Sequence, residues 1–285
     1  MVKGGIIVYR FVAIDVDDTL IGEDLNVTEA NKNSIEKAIS QGIKVTLATG
    51  RMYRSAFPYA QQLGMDLPLI TYHGGLIKTA VSGDTLYHRP VPIDLALQLV
   101  RLAKEKDLQL NLYIDDELIV EEENKYTDHY ISIAGVSLKT VGDLEEFLLC
   151  NPKSEPTKLT IVDSEYLVER LHHELNQFFG SELLITQSRS DFLEITHPHA
   201  NKGEALEKLT EIYGISMCET VAIGDSLNDL SMVKQAGLGV AMGNARTELK
   251  NVADVIVGTN EESGVSQVLD RFVLNDCGRE MNGVN

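Results

Sequence analysis

Three aspartates, Asp15, Asp17 and Asp18, stand within four positions of FVAIDVDDTL, directly behind an apolar run. Carboxylates this close raise one another's pKa unless something positive lies between them. A second acidic group, Asp225 and Asp229 with Asn228 among them, closes the run TVAIGDSLND. Two further polar clusters, Thr49–Gly50–Arg51 and Lys202–Gly203, follow other candidate strands or lie close to one. In an open parallel sheet, ligands gather outside the carboxyl ends of the strands, so the four clusters make one site. Carboxylates at two strand ends read as a hard-cation site, with Mg2+ as the cation that prefers oxygen ligands. The Thr49 hydroxyl with its neighbouring backbone N–H groups, and the Lys202 ammonium, suit a phosphate beside that cation. Each cluster alone reads more readily as a turn or a helix cap than as a site. Their joint recurrence at strand ends is what points to chemistry.

The elements that must position them show two rhythms. FVAID and IKVTLAT are near-continuous apolar runs, as parallel strands covered on both faces require. Thr28 can cap a helix carrying Ile35, Ala38 and Ile39 at helical spacing, and Gly42 can end it. A helix from about Met52 to Gly64 and the run LPLIT extend the parallel pattern. Between about His88 and Glu194 the rhythm changes. A helix from Asp94 to about Lys106 leads into LQLNLYI, which Asp115–Asp116 turns back into ELIVEE as a hairpin. Helices in KYTDHYISIAG and SEYLVERLHHELNQFF flank KLTIV, and LLITQ and FLEIT close the segment. From Lys202 the first rhythm returns through GEALEKLTEIYG, TVAIGD, LNDLSMVKQAG, GVAMG and DVIV. The expectation is an α/β chain: a Rossmann-like parallel-sheet core from residues 1–87 and 197–285, with an inserted α+β domain at 88–196. The tail NDCGREMNGVN is polar and aperiodic, and is expected to fray.

Composition narrows the function classes. With 25 basic against 43 acidic residues the net charge is -18, and such a surface repels phosphate backbones and anionic lipid. Neither nucleic acid nor membrane is an expected partner. The three cysteines, Cys150, Cys218 and Cys277, are scattered with no CxxC pair, which argues against a disulfide framework or a zinc site and for a reducing cytoplasm. GGIIVY is cut by Arg10, too short for a membrane span and without a small-residue cleavage site.

DVDDTL, LATGR, NKGEAL and GDSLNDLSM, in this order, resemble the four motifs of the haloacid-dehalogenase-like phosphohydrolases. VAMGNA and NEESGV resemble the Cof-like subfamily with its class IIB cap, which lies between the second and third motifs as the insert does here. The likeness covers nearly the whole chain. It implies a Mg2+-dependent phosphatase that hydrolyses small phosphate monoesters, sugar phosphates or related metabolites, through an aspartyl-phosphate. It makes Asp15 the nucleophile and Asp17 the general acid/base, two apart on an extended chain with side chains to one side. The implied cation ligands are the Asp15 side chain, the Asp17 backbone carbonyl and Asp225, with Asp229 behind them. Thr49, Gly50, Arg51, Lys202 and Asn228 face the phosphate in this scheme, and the cap selects the leaving group. Two positions depart from the pattern: Asp18 stands where many members have glycine, and His73, near the hinge, where asparagine is usual. A phosphomutase or phosphotransferase with the same intermediate, and a non-catalytic phosphosugar sensor, are the alternative functions. Monomer and dimer are both open.

Other features carry less. GLGVAMG from Gly237 approaches a dinucleotide fingerprint, but its last glycine comes one residue late and it lies in a strand. HPH at His197 and His199 lacks a third ligand and reads as a hinge, and His172–His173 as the solvated face of a helix.

Overall fold

The computed structural model describes residues 8–65 and 67–274. Strand β1 (Phe11–Ile14) has all four side chains buried, so it can only be a central strand covered on both faces. Helix α1 (Glu29–Ser40) starts at Thr28, whose hydroxyl accepts the Asn31 N–H at 3.3 Å, and stops before Gly42 at a φ of 85°. Strand β2 (Lys44–Leu47) then lies parallel to β1, with Phe11 opposite Lys44 and Ile14 opposite Leu47. Helix α2 (Tyr53–Gln62) leads to β3 (Leu69–Thr71), which meets the end of β2 through a parallel bridge between Ala48 and Ile70. Beyond that the chain reverses, a feature the sequence reading passes over. β3 pairs antiparallel with β4 (Leu76–Lys78), and β5 (Thr85–His88) completes a three-stranded sheet.

Next come α3 (Ile93–Lys106), β6 (Gln109–Ile114), β7 (Glu117–Val120), α4 (Lys125–Ala134), β8 (Leu138–Thr140) and α5 (Leu144–Cys150). They are followed by β9 (Lys158–Val162), α6 (Glu165–Phe179), β10 (Leu184–Arg189) and β11 (Phe192–Thr196). The hairpin between β6 and β7 turns on Asp115 and Asp116, both at positive φ, as a two-residue turn of matching twist needs. The six strands run in the order β10-β11-β9-β6-β7-β8, antiparallel except for the β7–β8 pair. Strand alternation gives this sheet two unlike faces. Leu110, Leu112, Leu159, Ile161, Leu193 and Ile195 enter a hydrophobic core with α3, α5 and α6. Tyr113, Lys158, Thr160 and Glu194 take the other face, buried though polar, with Lys158 Nζ 2.8 Å from Glu194 Oε1. Strand β8 and helix α5, short and weakly patterned, are absent from the sequence reading.

The remaining elements are α7 (Lys202–Ile212), β12 (Thr220–Gly224), α8 (Leu230–Gln235), β13 (Leu238–Ala241), α9 (Thr247–Lys250), β14 (Val255–Ile256) and α10 (Gly264–Val268). Strands β12, β13 and β14 join β1 and β2 in one parallel sheet of order β14-β13-β12-β1-β2. The fold is therefore α/β, a Rossmann-like parallel sheet with an inserted, mostly antiparallel α+β domain. Two compact units result: one holds residues up to Gly50, Ala56–Leu86 and the chain from Asn201, the other Arg51–Ser55 and Tyr87–Ala200. Among the described residues no helix is long and apolar enough to cross a membrane. Cys150 and Cys218 are exposed free thiols, while Cys277, the tail from Asn275 and most of GGIIVY lie outside the described residues.

Candidate active site

Asp15 and Asp225 come together because the strands that carry them are neighbours. β1 and β12 pair parallel with Ile14 opposite Ile223, and the Asp15 N–H donates to the Ile223 carbonyl at 3.0 Å. Both aspartates follow the last residue of their strand, at the carboxyl edge where the backbone leaves the ladder. Lys202 opens helix α7, capped by the Asn201 side chain, and its ammonium is fully buried. Lys202 Nζ lies 2.5 Å from Asp15 Oδ1 and 2.6 Å from Asp229 Oδ1. The second oxygen of Asp229 accepts the backbone N–H groups of Asp225 and Ser226, each at 3.0 Å. Its carboxyl can come this close because position 224 is glycine: a Cβ there would stand 2.4 Å from Asp229 Cγ. Thr19, inside the DVDDTL run, donates its hydroxyl to Asp225 Oδ1 at 3.3 Å.

Charge in this cluster is unbalanced. Burial, then the Asp229 carboxylate, holds Asp15 well above the usual carboxylate range, against the pull of Lys202. Burial together with Asp229 and Asp18 pushes Asp225 up to about 6. Burial alone would lower the Lys202 ammonium, but Asp15 and Asp229 beside it raise it above its ordinary value. One ammonium therefore serves three carboxylates, and the shortfall falls on Asp15 and Asp225.

A divalent cation fits that shortfall. One ligand oxygen from each of Asp15, Asp225 and Asp229 lies within 4.8 Å of the others. Asp229 is already engaged by Lys202 and two N–H groups, which leaves Asp15 and Asp225 as the carboxylates with capacity to spare. All the donors are oxygens, the set that hard cations select.

The other candidates are placed less uniformly. Thr49 is buried at the end of β2, its N–H donating to the Ile70 carbonyl at 2.9 Å. Gly50 follows it with the His73 ring against its Cα. Asn228 is exposed and bonded to Ser226 and His73. Asp17 is also exposed, although Asp15 is buried. The reason is local: the Val16 carbonyl accepts the N–H groups of Leu20 and Ile21, so the chain turns straight after Asp15. Arg51 belongs to the second unit, with residues up to Ser55. Two contributors went unread in the sequence: Thr19, inside the quoted motif, and Ser226, revealed only by its contacts, whereas His73, marked there as a departure near the hinge, lies against Gly50 and Asn228.

Comparison with known proteins gives one consistent answer. The haloacid dehalogenase-like hydrolase family matches residues 12–269. A 5-amino-6-(5-phospho-D-ribitylamino)uracil phosphatase of Bacillus subtilis is 32% identical over 93% of this chain and 96% of its own length. A pyridoxal phosphate phosphatase of Escherichia coli is 28% identical over 91% of this chain and 97% of its own. The crystal structure of a haloacid dehalogenase-like hydrolase from Bacteroides thetaiotaomicron superposes with a TM-score of 0.84 at 29% identity, covering 92% of this chain and 99% of that one.

Proposed function

Because the chain belongs to the haloacid dehalogenase-like hydrolases, we propose that it is a cytoplasmic phosphatase hydrolysing small phosphate monoesters through an aspartyl-phosphate on Asp15. The observation that carries the reading is the buried Asp15–Lys202–Asp229 network with Asp225 beside it, at the carboxyl ends of β1 and β12. Relatives named as phosphatases of small phosphorylated metabolites support the substrate class.

In this mechanism Asp15 attacks phosphorus in line and forms the acyl-phosphate bond as the ester oxygen departs. Asp17 gives that oxygen its proton, then takes one from the water that cleaves the aspartyl-phosphate, so that phosphate and free Asp15 are restored. Exposure suits Asp17 to this exchange with solvent. Lys202 opposes the rise in the Asp15 pKa and orients its carboxyl, and Asp229 fixes Lys202 in turn. Thr49 through its hydroxyl, and Gly50 and Asn228 through N–H groups, receive the phosphoryl oxygens. The Asp15 and Asp225 side chains and the Asp17 carbonyl would hold Mg2+, which would supply the charge that lets a carboxylate approach an anionic ester. The inserted domain, residues 88–196 in this reading, selects the leaving group.

Phosphate release from an aryl phosphate and a panel of sugar, pyridoxal and flavin-type phosphates tests the proposal. Release should require Mg2+, stop with excess EDTA, and vanish in Asp15→Asn. Undiminished release by metal-free protein or by Asp15→Asn would refute it.

A further inference from the structure

Contacts within the parallel-sheet unit hold His73 in place. Its backbone N–H donates to the Thr49 carbonyl at 3.0 Å. Its ring covers Gly50, where a Cβ would come within 2.3 Å of Cε1, 2.6 Å of Nε2 and 2.9 Å of Nδ1. Asn228 Nδ2 lies 3.3 Å from His73 Nδ1. On its other side the Asn228 carboxamide is oriented by the Ser226 hydroxyl, which donates to Oδ1 at 2.8 Å. Nδ2 therefore faces the ring, Nδ1 accepts, and the neutral imidazole carries its proton on Nε2. The backbone is committed to this placement as well. Tyr72 and His73 both adopt positive φ, 52° and 58°, a strain that persists only where the surroundings enforce it.

Resting on the reading that Gly50 and Asn228 receive the phosphoryl group, we propose that His73 is a positioning residue that locks the Asn228 carboxamide against the Thr49–Gly50 strand end. Gly50 is then a glycine in order to admit the ring. Its own φ lies outside the left-handed region, so the backbone would accept alanine, and the three atoms nearest an added Cβ all belong to His73. With one Nδ2 hydrogen given to the ring, the second is directed to a phosphoryl oxygen. A free carboxamide would have to be ordered on each binding event, at an entropic cost the lock removes.

The test is a mutant cycle read by calorimetric binding of inorganic phosphate in the presence of Mg2+. His73→Ala removes the acceptor and should weaken binding about tenfold, the scale of one hydrogen bond to an anion-binding group. His73→Asn puts an amide oxygen near the Nδ1 position while deleting Cε1 and Nε2, and should recover most of that loss. Gly50→Ala should cost about tenfold more beside His73 than in the His73→Asn background, because the two atoms nearest the added Cβ, Cε1 and Nε2, are gone there. Equal costs in the two backgrounds, or a His73→Ala protein that binds like wild type, would overturn the proposal. A second readout is independent of phosphate chemistry. In metal-free, phosphate-free protein the ring nitrogen shifts of His73 should report the Nε2–H tautomer, and Asn228→Ala should shift the Nδ1 resonance. The opposite tautomer, or no response, would overturn the lock even if phosphatase activity is present.

Discussion

Removing Lys202 should expose how much of the parallel unit's stability rests on a single buried charge. Asp15, Asp229 and Lys202 together carry a formal charge of -1 when all are ionised, and Lys202→Met makes it -2 with no access to water for Lys202 or Asp229. Breaking a buried ion pair from one side costs about 3–5 kcal/mol. The two pairs share one ammonium, so the cost is not doubled. For a unit of this size, each kcal/mol lowers Tm by about 2–4 °C, which predicts a fall of roughly 6–20 °C. The chain has no tryptophan, so unfolding is best followed by far-UV circular dichroism, in EDTA near neutral pH. Two controls sharpen the result. Asp15 is already raised well above the usual carboxylate range and protonates readily, so the deficit should shrink on acidification. Added Mg2+ should restore part of it, since a cation at about 100-fold its Kd contributes about 2.7 kcal/mol. A Lys202→Met protein that melts with wild type in EDTA would refute the claim that this ammonium balances the cluster.

Further outcomes follow from the same physics. In metal-free protein Asp225 is pushed up to about 6, so Mg2+ must displace a proton below that pH. Calorimetry should show affinity falling, and proton release growing, as pH drops through that value; a flat profile would contradict it. In the inserted domain Lys158 and Glu194 are paired at 2.8 Å on a buried sheet face. Glu194→Leu alone should destabilise by about 3–5 kcal/mol, while the double change with Lys158→Met should recover most of the loss in thermal unfolding. Burial lowers the His88 pKa, and its ring lies 2.9 Å from the Thr157 hydroxyl. The unfolded chain therefore binds this proton first, so stability should decline as pH falls below about 6.5, and His88→Gln should flatten the decline in urea titrations.

The strands that build the site were legible because burial on both faces leaves an unbroken apolar run, as Phe11–Ile14 and Thr220–Gly224 show. Thr28 likewise announces α1 through a local cap. The three-stranded β3-β4-β5 sheet was not legible: two of its strands have three residues each, too few for a period of two to register. Within the site, residue types at strand ends marked the carboxylates and Lys202, but not the wiring among them. Lys202 meets Asp15 across 187 positions of sequence, and no local pattern encodes which carboxylates share its ammonium. Asp17 is exposed where Asp15 is buried, beside a turn in which the Val16 carbonyl accepts two N–H groups, a difference that a spacing of two residues does not reveal. His73 reached attention only as a departure from its family's usual residue. Its contact with Gly50 requires a left-handed backbone that a histidine side chain does not advertise.

The central claim, a covalent intermediate on Asp15, is tested most directly by trapping it. Protein mixed with an aryl phosphate and Mg2+ is quenched in acid within a single turnover, and the peptide holding Asp15 is sequenced by mass spectrometry. The account predicts one phosphoryl group on Asp15, absent from Asp15→Asn and accumulating in Asp17→Asn, where the water that cleaves it lacks its base. Turnover with no labelled aspartate under the same quench, or with the label on any other residue, would contradict it.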